Sequence, residues 1–90
     1  MDERIRIDKW LWHARFYRTR VLAQSAAAAG LIRLNGQRVT KSSANVGAGD
    51  ILTLPKGPSV IVVRVLGVAT RRTGAPDARL LYEILTETPA

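Results

Sequence analysis

An α+β fold is what this sequence predicts, and three observations predict it. Apolar residues recur at helical spacing in two short N-terminal segments, 9–16 and 20–29. Asn35-Gly36, set between alternating apolar and polar residues, is a strong two-residue hairpin signal. The stretch 60–68 is β-branched and apolar with Arg64 its only charge, which reads as a central strand.

Residues 1–7 read as an extended arm in which Ile5 and Ile7 pack and Arg4 and Arg6 do not. Asp8 is placed to cap the first helix, because its carboxylate can accept from the free N–H groups of the following turn. Ile7 and Trp12 then take the positions of a hydrophobic staple. Helix 1 is predicted over 9–16, with Trp10, Leu11, Ala14 and Tyr17 on its core face. Lys9, Trp12, His13 and Phe16 share a neighbouring face that interleaves basic and aromatic groups. Such a face suits base stacking and phosphate; aromatic rings at this spacing are also commonly packed, and on that reading Trp12 and Phe16 lie under another element with only Lys9 and His13 in water. Thr19 is the expected N-cap of helix 2. Leu22, Ala26 and Ala29 form its expected buried stripe, Gln24 shares a face with Arg20, and Gly30 ends the helix. The Asn35-Gly36 turn pairs Leu34 with Gln37, Arg33 with Arg38 and Ile32 with Val39. Residues 41–45 read as a loop, 48–50 as a turn, 51–54 as a strand and 55–58 as a second turn. A polar connection over 70–76 leads to Pro76-Asp77. These open a short C-terminal helix over 77–86, with Leu80, Leu81, Ile84 and Leu85 on one stripe.

Ninety residues make one small domain, 1–90, with its core within 6–68. There is no cysteine, hence no disulfide and no thiolate metal site. No run of residues is long and apolar enough to span a membrane. The charged N-terminus lacks the apolar centre of a signal peptide, and a cytoplasmic protein is expected. The formal net charge is +7 and the pI near 11.1. That excess is segregated: nine of the fourteen basic residues lie between Arg4 and Lys41, with Asp8 the one acid among them. Eleven of the fourteen are arginine, the residue suited to bidentate phosphate contacts and stacking on bases. Such a half-molecule predicts a polyanion-binding surface, and structured RNA is the polyanion expected.

Within that half, two places point to anions. The free N–H groups at the start of helix 2, flanked by Arg18 and Arg20, make an anion site. Arg33 and Arg38, opposed across the hairpin, repel one another unless something neutralises them, and a phosphate would do so. The glycines over 47–49 lack the Gly-Lys-Ser/Thr that a phosphate loop needs. With one histidine and no cysteine, no nucleophile–base pair is evident, and each acid has a cap, turn or surface role. A lone His13 has no spaced partner for a metal. The sequence therefore reads as a non-enzyme without a cofactor or small-molecule substrate. A winged-helix DNA-binding regulator is the alternative, although helix 2 after Arg20 offers only Gln24 and Ser25 before alanines take over.

Arg6-x-Asp8-Lys9-Trp10-Leu11, Thr19-Arg20, Ala23, Gly30-x-Ile32-x-Leu34-Asn35-Gly36 and Gly49-Asp50, in that order, resemble the small RNA-binding domain named after ribosomal protein S4. The longer string DKWLWHARFYRTR, with NGQRV, Arg71-Arg72 and Leu80-Leu81-Tyr82-Glu83, resembles the bacterial heat shock protein 15 family over residues 4–86. The resemblance implies two helices packed on a small, highly bent, mainly antiparallel sheet. It implies RNA on the face made by both helices and the following hairpin. It further implies a ribosome-associated protein bound to ribosomal RNA of the large subunit, acting on stalled subunits. The contacts it implies, matched position by position, are Arg6, Lys9, Arg15, Arg18, Thr19, Arg20, Gln24, Arg33, Asn35, Gln37, Arg38 and Lys41.

Overall fold

The computed structural model describes residues 3–68 and 78–89. In chain order the elements are β1 (Arg4–Arg6), α1 (Ile7–His13), α2 (Arg20–Ala28), β2 (Arg33–Leu34), β3 (Gln37–Arg38), β4 (Asn45–Gly47), β5 (Ile51–Lys56), β6 (Ser59–Val65), a 3-10 turn (Arg79–Leu81) and β7 (Tyr82–Pro89). Strands β1 and β4 form a two-stranded ribbon, and the others form a sheet in the order β3-β2-β5-β6-β7. Every pairing among the described residues is antiparallel. The α+β prediction holds: two N-terminal helices pack on an antiparallel sheet, with a short 3-10 helix near the C-terminus.

Strand periodicity builds the core. Leu52 and Leu54 of β5 and Ile61, Val63 and Val65 of β6 alternate onto one face and are buried. Ile7, Trp10 and Leu11 of α1, with Ala23, Ala26 and Ala27 of α2, belong to the same cluster, as do Ala14, Ile32, Val39 and Val46. Trp10 donates from Nε1 to the Gly67 carbonyl at 2.8 Å, which fastens α1 to the chain leaving β6. Phe16 packs on Tyr82 with ring centroids 4.6 Å apart, and Trp10 lies 6.0 Å from Phe16. Pro55 is tolerated in β5 because β2 pairs only with Leu52 and Thr53, so no ladder bond is asked of the proline nitrogen.

Several expectations need correction. Helix 1 spans 7–13 and not 9–16, and Asp8 lies inside it. The residue flanking its start is Arg6, with no side-chain cap. Chain distant in sequence supplies the missing acceptors: Ile7 donates to the Ala44 carbonyl at 2.6 Å and Asp8 to that of Ser42 at 3.4 Å. His13 is buried rather than wet, since α1 is enclosed on several sides and buries five of its seven residues. The buried stripe of α2 is Ala23, Ala26 and Ala27, while Leu22 is 50% exposed and Ala29 is exposed. The buried side of α2 is thus made of small methyl groups, which allow close approach to the core, and the leucine is turned out.

Among the described residues of the predicted C-terminal helix over 77–86, Arg79–Leu81 form the 3-10 turn and 82–86 belong to a strand that runs to Pro89, while its expected start at Pro76-Asp77 lies outside the described residues. A free edge of β6 captures this strand, with Tyr82 opposite Val65 and Ile84 opposite Val63. A register shift between Val62 and Val63 bends this outer strand. The predicted polar connection over 70–76 lies outside the described residues. No helix among the described residues is long and apolar enough to cross a membrane.

Candidate nucleic-acid interface

Helix α2 is bounded by two cationic clusters, and together they make the candidate interface. The first lies where its start meets the start of α1. Thr19 is extended (φ −130°, ψ 157°), and its hydroxyl accepts from the Leu22 N–H at 3.1 Å, as the sequence predicts. An accepting hydroxyl keeps its own proton free to donate. Arg18 is exposed beside it. Arg20 turns back toward α1, its Nε 3.9 Å from Asp8 Oδ2. Arg6 chelates the same carboxylate, Nε to Oδ1 at 3.2 Å and Nη2 to Oδ2 at 3.1 Å. Lys9 follows Asp8, and its N–H donates to Oδ1 at 2.7 Å. Lys41 is exposed one residue before Ser42, whose carbonyl meets the start of α1.

The second cluster lies at the other end of α2, roughly 13 Å along a nine-residue helix. Asn35 (φ 52°) and Gly36 (φ 86°) form the tight turn, both left-handed as this hairpin requires. Arg33 pairs with Arg38 and Leu34 with Gln37, in the register the turn predicts, and Val39 donates to the Ile32 carbonyl at 2.9 Å. The stem of Arg38 runs across Gly30: a Cβ at Gly30 would lie 3.0 Å from Arg38 Cδ. A side chain at that glycine would push the arginine off the helix end. Gln24 stands between the clusters, one turn beyond Arg20 on its face. Among the described residues no acid lies within salt-bridge distance of Lys9, Arg18, Arg33, Arg38 or Lys41.

Two candidate residues stand differently. Asn35 is engaged within the protein. Its Oδ1 accepts from the Ile51 N–H at 2.8 Å, and its Nδ2 donates to Asp50 Oδ1 at 3.2 Å. The other Asp50 oxygen accepts from the Gly47 N–H and from Arg4, so this one acid pins the hairpin, the 47–50 turn and the N-terminal arm together. Arg15 follows the opposite end of α1, away from the Arg6–Arg20 cluster. There it lines a depression of about 220 Å³ with Ala14, Ala78, Arg79 and Tyr82.

The capping role expected of Asp8 leaves its attachment to two arginines unforeseen. The available signal was its isolation, a single acid among nine cations. Among the described residues, no group of three or more His, Cys, Asp or Glu is placed to hold a metal ion.

Comparison with known proteins agrees with this architecture. Residues 5–52 match the model of the S4 domain. The heat shock protein 15 homolog of Aeromonas salmonicida is 47% identical over 79 residues, covering 88% of this chain and 59% of that protein. The RQC P-site tRNA stabilizing factor of Bacillus subtilis is 35% identical over 83 residues, covering 92% of this chain and 94% of that one. A trimeric structure of heat shock protein 15 from Vibrio cholerae superposes with a TM-score of 0.87 at 40% identity, over 93% of this chain and 84% of the other. The chain spans only about three fifths of the length of the heat shock protein 15 relatives, 62% and 59% in two of them. Fold, motif order and identity agree: the chain belongs to the S4-domain family and is closely related to the bacterial heat shock protein 15 proteins.

Proposed function

We propose that this chain is a non-catalytic RNA-binding module that grips structured RNA with the two cationic ends of α2. The observation that carries the reading is the opposed Arg33–Arg38 pair, with no acid in salt-bridge range among the described residues and with Arg38 lying against the end of a helix whose start is also cationic. Phosphate contacts would supply the affinity. Spacing of the clusters would supply selectivity, because side chains do not enter the deep groove of A-form RNA.

The partner proposed is ribosomal RNA of the large subunit, with the protein cytoplasmic and ribosome-associated. Two kinds of relative support this: the heat shock protein 15 proteins, and a factor named for stabilising P-site tRNA. Recycling of stalled large subunits is the cellular role proposed. The interface would comprise Arg6, Lys9, Arg18, Thr19, Arg20, Gln24, Arg33, Gln37, Arg38 and Lys41, with Arg15 at its far margin and Asn35 as the anchor of the hairpin.

A DNA-reading role is less well supported. The outward side of α2 carries Val21, Ser25 and Ala28, which offer few hydrogen bonds to a base edge. Titration against a folded ribosomal RNA fragment and against duplex DNA of equal length tests the proposal. Tighter binding to the RNA is expected. Equal affinities would refute shape-selective RNA recognition. Crosslinking in cell extract, followed by sequencing of the attached RNA, would identify the partner.

A further inference from the structure

Asp8 is the most unusual charged residue of the interface. It is fully buried, yet it lies in the most cationic part of the chain. Its oxygens accept from Arg6 Nε and Nη2 and from the Lys9 N–H. The Arg20 Nε is buried and has no hydrogen-bond partner among the described residues, and it lies 3.9 Å from Asp8 Oδ2. A buried donor without an acceptor is unfavourable, and a shift of about 1 Å would bring this one to hydrogen-bond distance. Arg20 is therefore poised beside its acceptor and not yet seated on it.

We propose that Asp8 is a positioning residue for the RNA-binding surface, a bracket that aims Arg6 and Arg20 together. The proposal rests on the RNA-binding reading and deepens it. Arg6 is held by one edge of its guanidinium, which leaves Nη1 directed away from the carboxylate. When a phosphate engages the terminal nitrogens of Arg20, its Nε–H closes onto Asp8 Oδ2. Both forks are then fixed by one carboxylate at the joined starts of α1 and α2. Fixing the fork matters for arginine, because bidentate phosphate recognition depends on the plane of the guanidinium as well as on its charge.

The two simplest accounts of Asp8 give opposite signs. Asp8→Asn removes a negative charge and raises the net charge of +7 by one. A surface acting through charge alone would then bind a polyanion more tightly. A bracket predicts weaker binding, by about tenfold, with a shallower salt dependence as phosphate contacts are lost. The probe is purified large-subunit ribosomal RNA, and Arg33→Ala/Arg38→Ala serves as the reference variant. Should Asp8→Asn fail to fold, Arg20→Lys is read instead, since it keeps the charge of a partly exposed residue and removes Nε. It is expected to melt like the wild type and to bind about tenfold more weakly. A direct signature is the Arg20 Nε–Hε resonance, which should move downfield and gain protection from exchange when RNA is added. Unchanged or tighter RNA binding by Asp8→Asn, wild-type affinity in Arg20→Lys, or an Arg20 Nε–Hε resonance indifferent to RNA would overturn the bracket. If the wild type binds RNA and the reference variant binds it more weakly, the RNA-binding reading survives that failure. If the wild type does not bind, both fall.

Discussion

Arg33 and Arg38 stand directly opposite one another across the β2–β3 ladder, on the same side of a ribbon with two residues in each strand. Like charges in that relation disfavour the hairpin, and a bound phosphate turns the cost into an attraction. Changing both to Ala should leave the fold intact, because neither side chain is buried. RNA affinity should fall, and the slope of log affinity against log salt should flatten by about 1.5, the share of two phosphates. An unchanged slope in a titration across salt concentrations would remove this pair from the interface.

Both helices end in the same backbone motif, with unlike residues at its left-handed position. At the end of α2 that position is Gly30 (φ 78°), and the Leu31 N–H reaches back to the Ala26 carbonyl at 3.1 Å. At the end of α1 it is Arg15 (φ 65°), and the Phe16 N–H reaches the Leu11 carbonyl at 3.0 Å. A side chain in this conformation costs about 1 kcal/mol that glycine does not. Arg15→Gly and Arg15→Ala both delete the guanidinium, but only glycine relieves the backbone. The glycine variant should melt about 4–8 °C above the alanine variant for a difference of about 1 kcal/mol. Both should bind RNA more weakly than the wild type, to the same degree. Coincident melts would refute the strain, and wild-type affinity would exclude Arg15 from binding.

Close packing of α1 on α2 makes a contrasting pair of core tests. Ala23 is fully buried in the core cluster, whereas Leu22 is half exposed beside it. Ala23→Leu forces extra atoms into a filled space and should cost about 1–3 kcal/mol. Leu22→Ala should change stability by no more than about 0.5 kcal/mol. Chemical denaturation of the two variants checks both values. A larger loss from Leu22→Ala would mean that the leucine, and not the alanine, faces the core.

These residues also show what the sequence could and could not reveal. The hairpin, its register and the Thr19 cap were legible because each is settled within a few residues: Asn35-Gly36 accepts two left-handed φ angles, and Thr19 reaches Leu22. The rotation of α2 was not, since leucine and alanine both suit a helical stripe and only the facing helix chooses between them. Residues 82–89 carry two periods at once. Leu80, Leu81, Ile84 and Leu85 fit a helix, while Tyr82, Ile84, Thr86 and Thr88 fit a strand. The open edge of β6 decides for the strand, and a local pattern holds no record of it. Of the interface, the cations were legible from charge segregation. Their carboxylate bracket was not, because the loop carbonyls that relieve Asp8 of capping lie more than thirty residues away.

Alkaline pH offers a test of how Tyr17 is packed. Tyr17 is half-buried, and that burial raises its phenol pKa above the ordinary value of 10.0 by disfavouring the phenolate. In the unfolded chain the phenol loses its proton near pH 10, while the folded protein still holds it. Above that point the folded state binds more protons, so the slope of stability with pH is negative. Tyr17 therefore gives its full contribution below pH 10 and loses it as pH rises through the raised folded value. Tyr17→Phe removes the ionisation and keeps the ring. Thermal melts from pH 8.5 to 11.5 should show the wild type losing stability faster than the variant, by at most about 1.4 kcal/mol per pH unit. Groups common to both proteins cancel in the comparison. Parallel curves would mean that the Tyr17 hydroxyl already meets water in the folded protein, and that the ring lies at the surface of the helical layer.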